Sequence, residues 1–247
     1  MSSTNNSLKT IAIFFQHFPP FPNAGARRAE SVIDGLLEIK SYDTRLQLYT
    51  TFLGKKPDIS IDHKVFRDLP SGNKTNKYLR FFLEIWLGLK ICLDSLAKTK
   101  PNLFMISSPS FFAAIVISLY CRLRSIHYIL EVRDAHPDGM IASGVLKENT
   151  VIYKVFTFFG KIMYSNAQKI IASNEGIANR LRAYTKSNIE VIFNGFPDKM
   201  VEVKKIKYEK FTLCFHGILA LFQDVPSLVR IIQLLCDTEI NIIVIGY

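Results

Sequence analysis

Short apolar runs that alternate with longer stretches of helical period constrain this chain more than any other feature. The runs at 10–15, 44–49, 103–107, 127–132, 169–172 and 190–193 are read as short, continuous and apolar, as expected of parallel strands covered on both faces. Between them, 27–39, 77–96, 111–124, 151–164 and 175–184 read as helices. Strands and helices in this order predict an α/β chain with a doubly wound parallel sheet. After Asn194-Gly195 and Pro197 the pattern breaks. The stretch 198–210 is lysine-rich without a period, and a new β-α-β unit follows at 211–215, 227–236 and 240–245. The expected organisation is a polar tail at 1–7, a first domain at 8–196, a linker at 197–209 and a second domain beginning at 210–247. Two strands and one helix do not complete a doubly wound sheet, so the second domain is expected to be incomplete.

Several function classes fall away on motif and charge. The net charge of +10 calls for an anionic partner: a membrane surface, a phosphorylated substrate or nucleic acid. The lysines are dispersed and form no recognition helix or aromatic platform, which argues against nucleic acid. No GxGxxG follows the first strand, and no GxxxxGK[ST], HExxH or GxSxG occurs. His17, His63, His127, His136 and His216 lack metal-ligand spacing. Cys92, Cys121, Cys214 and Cys236 form no CxxC pair and are expected to be reduced, buried thiols of a cytoplasmic protein. The apolar run at 11–15 is too short for a secretory signal, and Ser107, Ser108, Pro109 and Ser110 divide 103–119 into strand, turn and helix rather than one membrane span.

Three strand-to-helix loops carry candidate chemistry, since open α/β sheets place ligands beyond the carboxyl ends of their strands. The first holds Pro19, Pro20 and Pro22, then Gly25, Ala26, Arg27 and Arg28. Gly25 and its small neighbours admit a ligand to the backbone at a helix start. Arg27 and Arg28 either meet a bound phosphate there or face solvent. The second loop is Glu131-Val132-Arg133-Asp134-Ala135-His136-Pro137-Asp138, where three carboxylates, an arginine and a histidine gather. One carboxylate could serve as acid or base or orient a sugar hydroxyl; alternatively an Arg–Asp pair braces the loop. The third loop, from His216-Gly217 to Gln223-Asp224, has one glycine able to admit a nucleotide diphosphate, or merely a turn. The helix at 77–96 has an apolar face wider than a one-sided surface helix needs. It is either deeply buried under the sheet or presents Tyr78, Phe81, Phe82 and Trp86 to an anionic membrane.

These motifs occur in a telling order. Residues 18–28, Ser107-Ser108-Pro109-Ser110-Phe111-Phe112-Ala113-Ala114, the 130–138 loop, Gly144-Val145-Leu146, Ile171-Ala172-Ser173-Asn174-Glu175-Gly176 and Val191-Ile192-Phe193-Asn194-Gly195 together resemble glycosyltransferase family 4, with the flavour of O-antigen and colanic-acid transferases. The resemblance implies a GT-B fold: a complete N-terminal Rossmann-like sheet binding the acceptor, and a second Rossmann-like domain binding the donor. It also implies transfer from a nucleotide sugar with retention, without metal or other cofactor. Under it, Gly25, Ala26, Arg27 and Arg28 approach donor phosphates and acceptor. Asp134, Arg133 (where many relatives carry histidine) and His136 line the catalytic cleft. Asn194 and Gly195 mark the hinge, while Gly217 and Gln223 touch the donor. The chain departs from the pattern at Asn23-Ala24-Gly25, where relatives often have a Gly-Gly pair, and at Gln223-Asp224. The family's two donor-holding glutamates would fall beyond Tyr247.

The expectation is therefore a glycosyltransferase acting on a lipid-linked sugar acceptor at the cytoplasmic face of an anionic membrane, in bacterial surface polysaccharide synthesis. The alternative is a non-catalytic acceptor-binding or membrane-docking subunit that needs a separate donor-binding partner.

Overall fold

The computed structural model describes residues 9–21, 23–39, 44–52, 59–69, 76–142, 144–195, 207–217 and 224–246. The chain divides into two compact units, Met1–Gly195 and Phe196–Tyr247.

The first unit is a seven-stranded sheet in which every pairing is parallel. Its strands are β1 (Lys9–Phe14), β2 (Thr44–Phe52), β3 (Asp62–Arg67), β4 (Leu103–Ser107), β5 (His127–Val132), β6 (Lys169–Ala172) and β7 (Ile189–Val191), in the order β3-β2-β1-β4-β5-β6-β7. The helices are α1 (Ala24–Ile39), α2 (Lys77–Leu96), α3 (Phe111–Leu123), α4 (Asp138–Ala142), α5 (Val151–Ser165) and α6 (Glu175–Leu181). Strand order reverses between β1 and β4, which makes the carboxyl ends of these two strands the topological switch point.

Alternation along β1 builds two cores. Ile13 and Phe15 pack with Leu46, Leu48 and Met105 against Ala29 and Ile33 of α1. Ala12 and Phe14 pack with Tyr49, Phe104 and Ile106 against Leu87 and Ile91 of α2 and Phe111, Ala114 and Ile117 of α3. The central strands are thus buried on both faces, as their continuous apolar runs demand.

β3, α4 and the start of α1 differ from the sequence reading, and the ends of β2 and α6 each move by three residues. β3 is an edge strand reading Asp-His-Lys-Val-Phe-Arg, charged and half-exposed, and therefore without an apolar run to announce it. α4 is a single turn and a half, too short to display a helical period. α1 begins three residues earlier than Arg27, because Asn23 Oδ1 accepts the Ala26 amide at 2.8 Å and caps the helix there.

The second unit comprises β8 (Thr212–Gly217), α7 (Val225–Leu235) and β9 (Asn241–Gly246), with β8 and β9 parallel. Asp224 caps α7, its Oδ1 accepting from Ser227 N, and Pro226 sits in the first turn. One helix cannot cover both faces of two strands, and no residue of α7 is buried. Here the thiol expectation fails. Cys92 and Cys121 are buried, with burial pushing the Cys92 thiol up to about 12 and Cys121 also well up, but Cys214 and Cys236 are exposed.

Candidate functional site

The carboxyl ends of β1, β4 and β5 meet the amino-terminal turn of α1, and the sequence-predicted residues sort themselves around that junction. Arg27 and Arg28 part company. Arg27 points outward, its side chain 75% exposed and paired with Glu30 one turn on at 3.0 Å. Arg28 turns inward. Its Nε donates to Glu131 Oε1 at 2.5 Å, and its Nη1 donates to Asn194 Oδ1 at 2.9 Å. Ser107 Oγ donates to the other Glu131 oxygen at 2.5 Å. Glu131 is fully buried, so the arginine that compensates it is a structural necessity.

One turn earlier on the same face of α1 stands Gly25. A Cβ there would lie 2.9 Å from Cζ of Arg133 and closer still to its terminal nitrogens. Gly25 is therefore what allows the Arg133 guanidinium to rest on the first turn of α1. Arg133 has no ion pair among the described residues, and its buried Nε has no hydrogen-bond partner. A cation against the positive end of a helix is unfavourable by some tenths of a kcal/mol. An anion seated beside both would be held by both. Ser108, fully buried at the end of β4, contributes another unpartnered hydroxyl.

The remaining members of the β5 loop diverge. Asp134 is exposed, its carbonyl accepting from His136 N at 2.9 Å. The His136 ring lies 5.3 Å from Phe111, its Nδ1 buried without a partner. Burial holds its pKa below the usual histidine value, against the opposing pull of Asp134. Asp138 accepts from the hydroxyls of Tyr153 at 3.2 Å and Tyr184 at 2.5 Å. The three carboxylates expected to gather thus face three ways: Glu131 to Arg28, Asp134 to solvent, Asp138 to two tyrosines. A cavity of about 560 Å³ lies on the Asp138 side, lined also by Lys161 and Arg180. It belongs to the outer surface of α5 and α6 rather than to the strand-end junction.

Sequence reasoning missed the brace that sets the first loop. Asn23, with its oxygen committed to the Ala26 amide, must direct Nδ2 at His17 Nδ1, 2.9 Å away. Nδ1 is then an acceptor, the ring proton sits at Nε2, and Nε2 faces Asp68 at 3.5 Å. Burial pushes the Asp68 carboxyl up, but hydrogen bonds from His17 and Thr51 outweigh it and leave the pKa lowered. With both nitrogens engaged, His17 steadies the loop and has no free lone pair for a substrate proton. Asn23 directly before a helical run was the available signal. The Gln16 side chain, accepting from Ser110 Oγ at 2.5 Å, ties the same loop to the start of α3.

Of the other predicted residues, Ala26 is buried in the first turn of α1. Gly195 follows Asn194 in open space beyond β7. Gly217 ends β8 opposite Gly246 in the second unit. Gln223 lies outside the described residues. Among the described residues no group of three His, Cys, Asp or Glu side chains is placed to hold a metal ion.

No protein-family model matches the chain, and no curated protein is similar to it in sequence. Solved structures do match in fold. A sucrose-phosphate synthase from Thermosynechococcus elongatus superposes with a TM-score of 0.59 at 13% identity, over 96% of this chain and 62% of that one. Arabidopsis thaliana UGT89C1 complexed with UDP-L-rhamnose gives 0.57 at 10% identity, over 96% and 64%. A UDP-glucosyltransferase from Polygonum tinctorium capable of glucosylating indoxyl gives 0.55 at 9%, over the same shares. The fold is that of the GT-B glycosyltransferases, and the chain spans somewhat under two thirds of the length of these structures.

Proposed function

We propose that this chain is the acceptor-side part, with a portion of the donor side, of a glycosyltransferase that moves a sugar from a nucleotide-sugar donor to a lipid-linked saccharide. The observation that carries the reading is the unpaired Arg133 guanidinium resting on Gly25 at the first turn of α1, at the sheet's switch point. Two positive groups, one a side chain and one a helix end, converge where an open α/β sheet binds its ligand. A diphosphate supplies the missing negative charge. The polar, hydrogen-bonded surround of Asn194, Ser107 and Ser108 suits a sugar better than an apolar ligand. GT-B neighbours crystallised with UDP-L-rhamnose and UDP support the nucleotide-sugar class.

In the transfer, the bond between the sugar's anomeric carbon and the phosphate oxygen breaks as a bond forms to the acceptor hydroxyl. Negative charge grows on the departing diphosphate. Arg133 and the positive end of α1 stabilise that charge more than the ground state. The acceptor hydroxyl passes its proton to a base in the β5 loop. His136, kept neutral by burial, offers an unpartnered ring nitrogen in the same loop, and exposed Asp134 orients a sugar hydroxyl. The lipid-linked acceptor places the reaction at the inner face of the cytoplasmic membrane, in surface polysaccharide synthesis.

Binding to the purified chain tests this, with a panel of nucleotide sugars and inorganic pyrophosphate followed by calorimetry. Arg133→Ala is expected to weaken diphosphate ligands by tenfold or more, about 1.4 kcal/mol, with an unchanged melting temperature. Arg27→Ala, which removes only an exposed pair, leaves affinity as it was. Equal binding by wild type and Arg133→Ala would remove the foundation of the proposal.

A further inference from the structure

The outer layer of the first unit shows a second surface that the transfer chemistry does not use. α2 packs Leu87, Gly88, Ile91 and Cys92 into the core through its inner face. Its outer face carries Leu79, Phe82, Trp86, Leu89, Leu93 and Leu96 at spacings of 3, 4, 3, 4 and 3 residues, all exposed. Phe82 is 64% exposed and Trp86 53%. Sequence-level expectation of deep burial therefore holds for one face only. α5 repeats the arrangement, leaving Ile152, Val155 and Phe158 in solvent. Between the two, half-buried Phe112 and Leu119 of α3 pack against the core, and Val116 is set against Gly88 of α2. Ring contacts stitch the three helices together: Phe81 to Phe112 at 4.6 Å, and Phe112 to Phe156 at 4.8 Å. The result is one apolar surface spread across three helices, far wider than scattered exposed residues on a soluble monomer.

The exposed charge that these three helices themselves carry is positive. Lys90, Arg122, Lys154 and Lys161 are exposed and have no ion pair among the described residues. Both carboxylates on these three helices, Glu84 and Asp94, are consumed. Glu84 is buried, accepting from Arg80 and from the Phe112 amide. Asp94 sits between Lys64 and Lys98. Lys90 lies over the Trp86 ring, 5.3 Å from its centroid.

We propose that this α2–α3–α5 face docks on an anionic lipid bilayer, with the aromatic and aliphatic side chains at the headgroup boundary and the lysines on lipid phosphates. Charge decides between a bilayer and a second copy of the chain. A two-fold interface would press this cationic face against itself, whereas an anionic leaflet attracts it. No helix among the described residues is long and apolar enough to cross a membrane, so attachment by this face is peripheral. The inference rests on the membrane placement proposed above, but its test needs no sugar or nucleotide.

Trp86 is the chain's sole tryptophan and reports on the face directly. The full chain is mixed with vesicles of phosphatidylcholine alone or with about a third phosphatidylglycerol, and both sedimentation and tryptophan emission are read. Binding to the anionic vesicles, with a blue shift of Trp86 and weakening by salt, is expected. Lys154→Glu with Lys161→Glu is expected to lower that binding at least tenfold, and Phe82→Ser to lower it and reduce the shift, each with unchanged melting temperature. Equal binding to both vesicle types, an unshifted Trp86, or variants that bind as wild type would overturn the proposal. So would dimerisation that Phe82→Ser abolishes. Vesicle binding without nucleotide-sugar binding sinks the transferase reading alone, and the reverse sinks the docking face alone.

Discussion

Replacing Arg28 with methionine strands a buried carboxylate, and the consequence measures how firmly α1 is pinned to β5. Glu131 is fully buried, so losing its partner is expected to cost about 3–5 kcal/mol in urea unfolding. Adding Glu131→Leu to Arg28→Met is expected to restore most of that, because the uncompensated charge goes with it. A single-variant loss under about 1 kcal/mol would mean the pair is solvated. His136 gives a second residue-scale test. Burial lowers its pKa below 6.5, so below that value the unfolded chain binds a proton that the folded chain resists. The associated stability is present above pH 6.5 and is lost as pH falls through the lowered folded value. Melting followed from pH 7 to about pH 5 is expected to fall more steeply for wild type than for His136→Gln. Parallel profiles would contradict the assignment. At this scale the sequence was only partly legible. Arg27 and Arg28 are chemically identical neighbours, and what separates them is a glutamate 103 residues from Arg28. Arg133 stood out as a candidate, but its contact with Gly25 is set by the sheet and could not be read from either loop.

Elements were readable in proportion to the apolar surface they bury. β4, β5 and β6 lie at 103–107, 127–132 and 169–172 as expected, because central strands must be apolar on both sides. β3 escaped notice because an edge strand tolerates charge, and α4 because it is too short to show a period. The breadth of the apolar surface on α2 was visible, but which half meets the core was not, since both halves are apolar. Gly88 marks the inner half. A Cβ at this position would lie 2.9 Å from Val116 Cβ and 3.1 Å from the Ala113 carbonyl, so the glycine lets α2 and α3 approach closely. Gly88→Val is expected to destabilise the fold by about 1–3 kcal/mol through overpacking. Because the nearest contacts at Gly88 are Val116 and Ala113 rather than Gly25 or Arg133, diphosphate affinity should persist in the folded fraction. A neutral effect on unfolding would show that the helices sit further apart.

The whole molecule joins a sheet whose parallel character the alternating pattern announced to a strand order that it did not. The order β3-β2-β1-β4-β5-β6-β7 depends on which crossovers pack, and it alone makes the ends of β1 and β4 the switch point. That placement brings Gly25, Arg28, Ser107, Glu131, Arg133 and Asn194 into one neighbourhood from four separate stretches of sequence. It also gives the central claim, that the ligand of this fold is an anionic sugar carrier held at that junction, a location that can be observed. Hydrogen–deuterium exchange of the full chain, with and without a saturating nucleotide sugar, reads that location directly. Protection is expected in 16–28, 107–112 and 131–136, and it should be lost from these segments in Arg133→Ala. Binding that leaves all three segments unprotected, while slowing exchange elsewhere in the chain, would contradict the account.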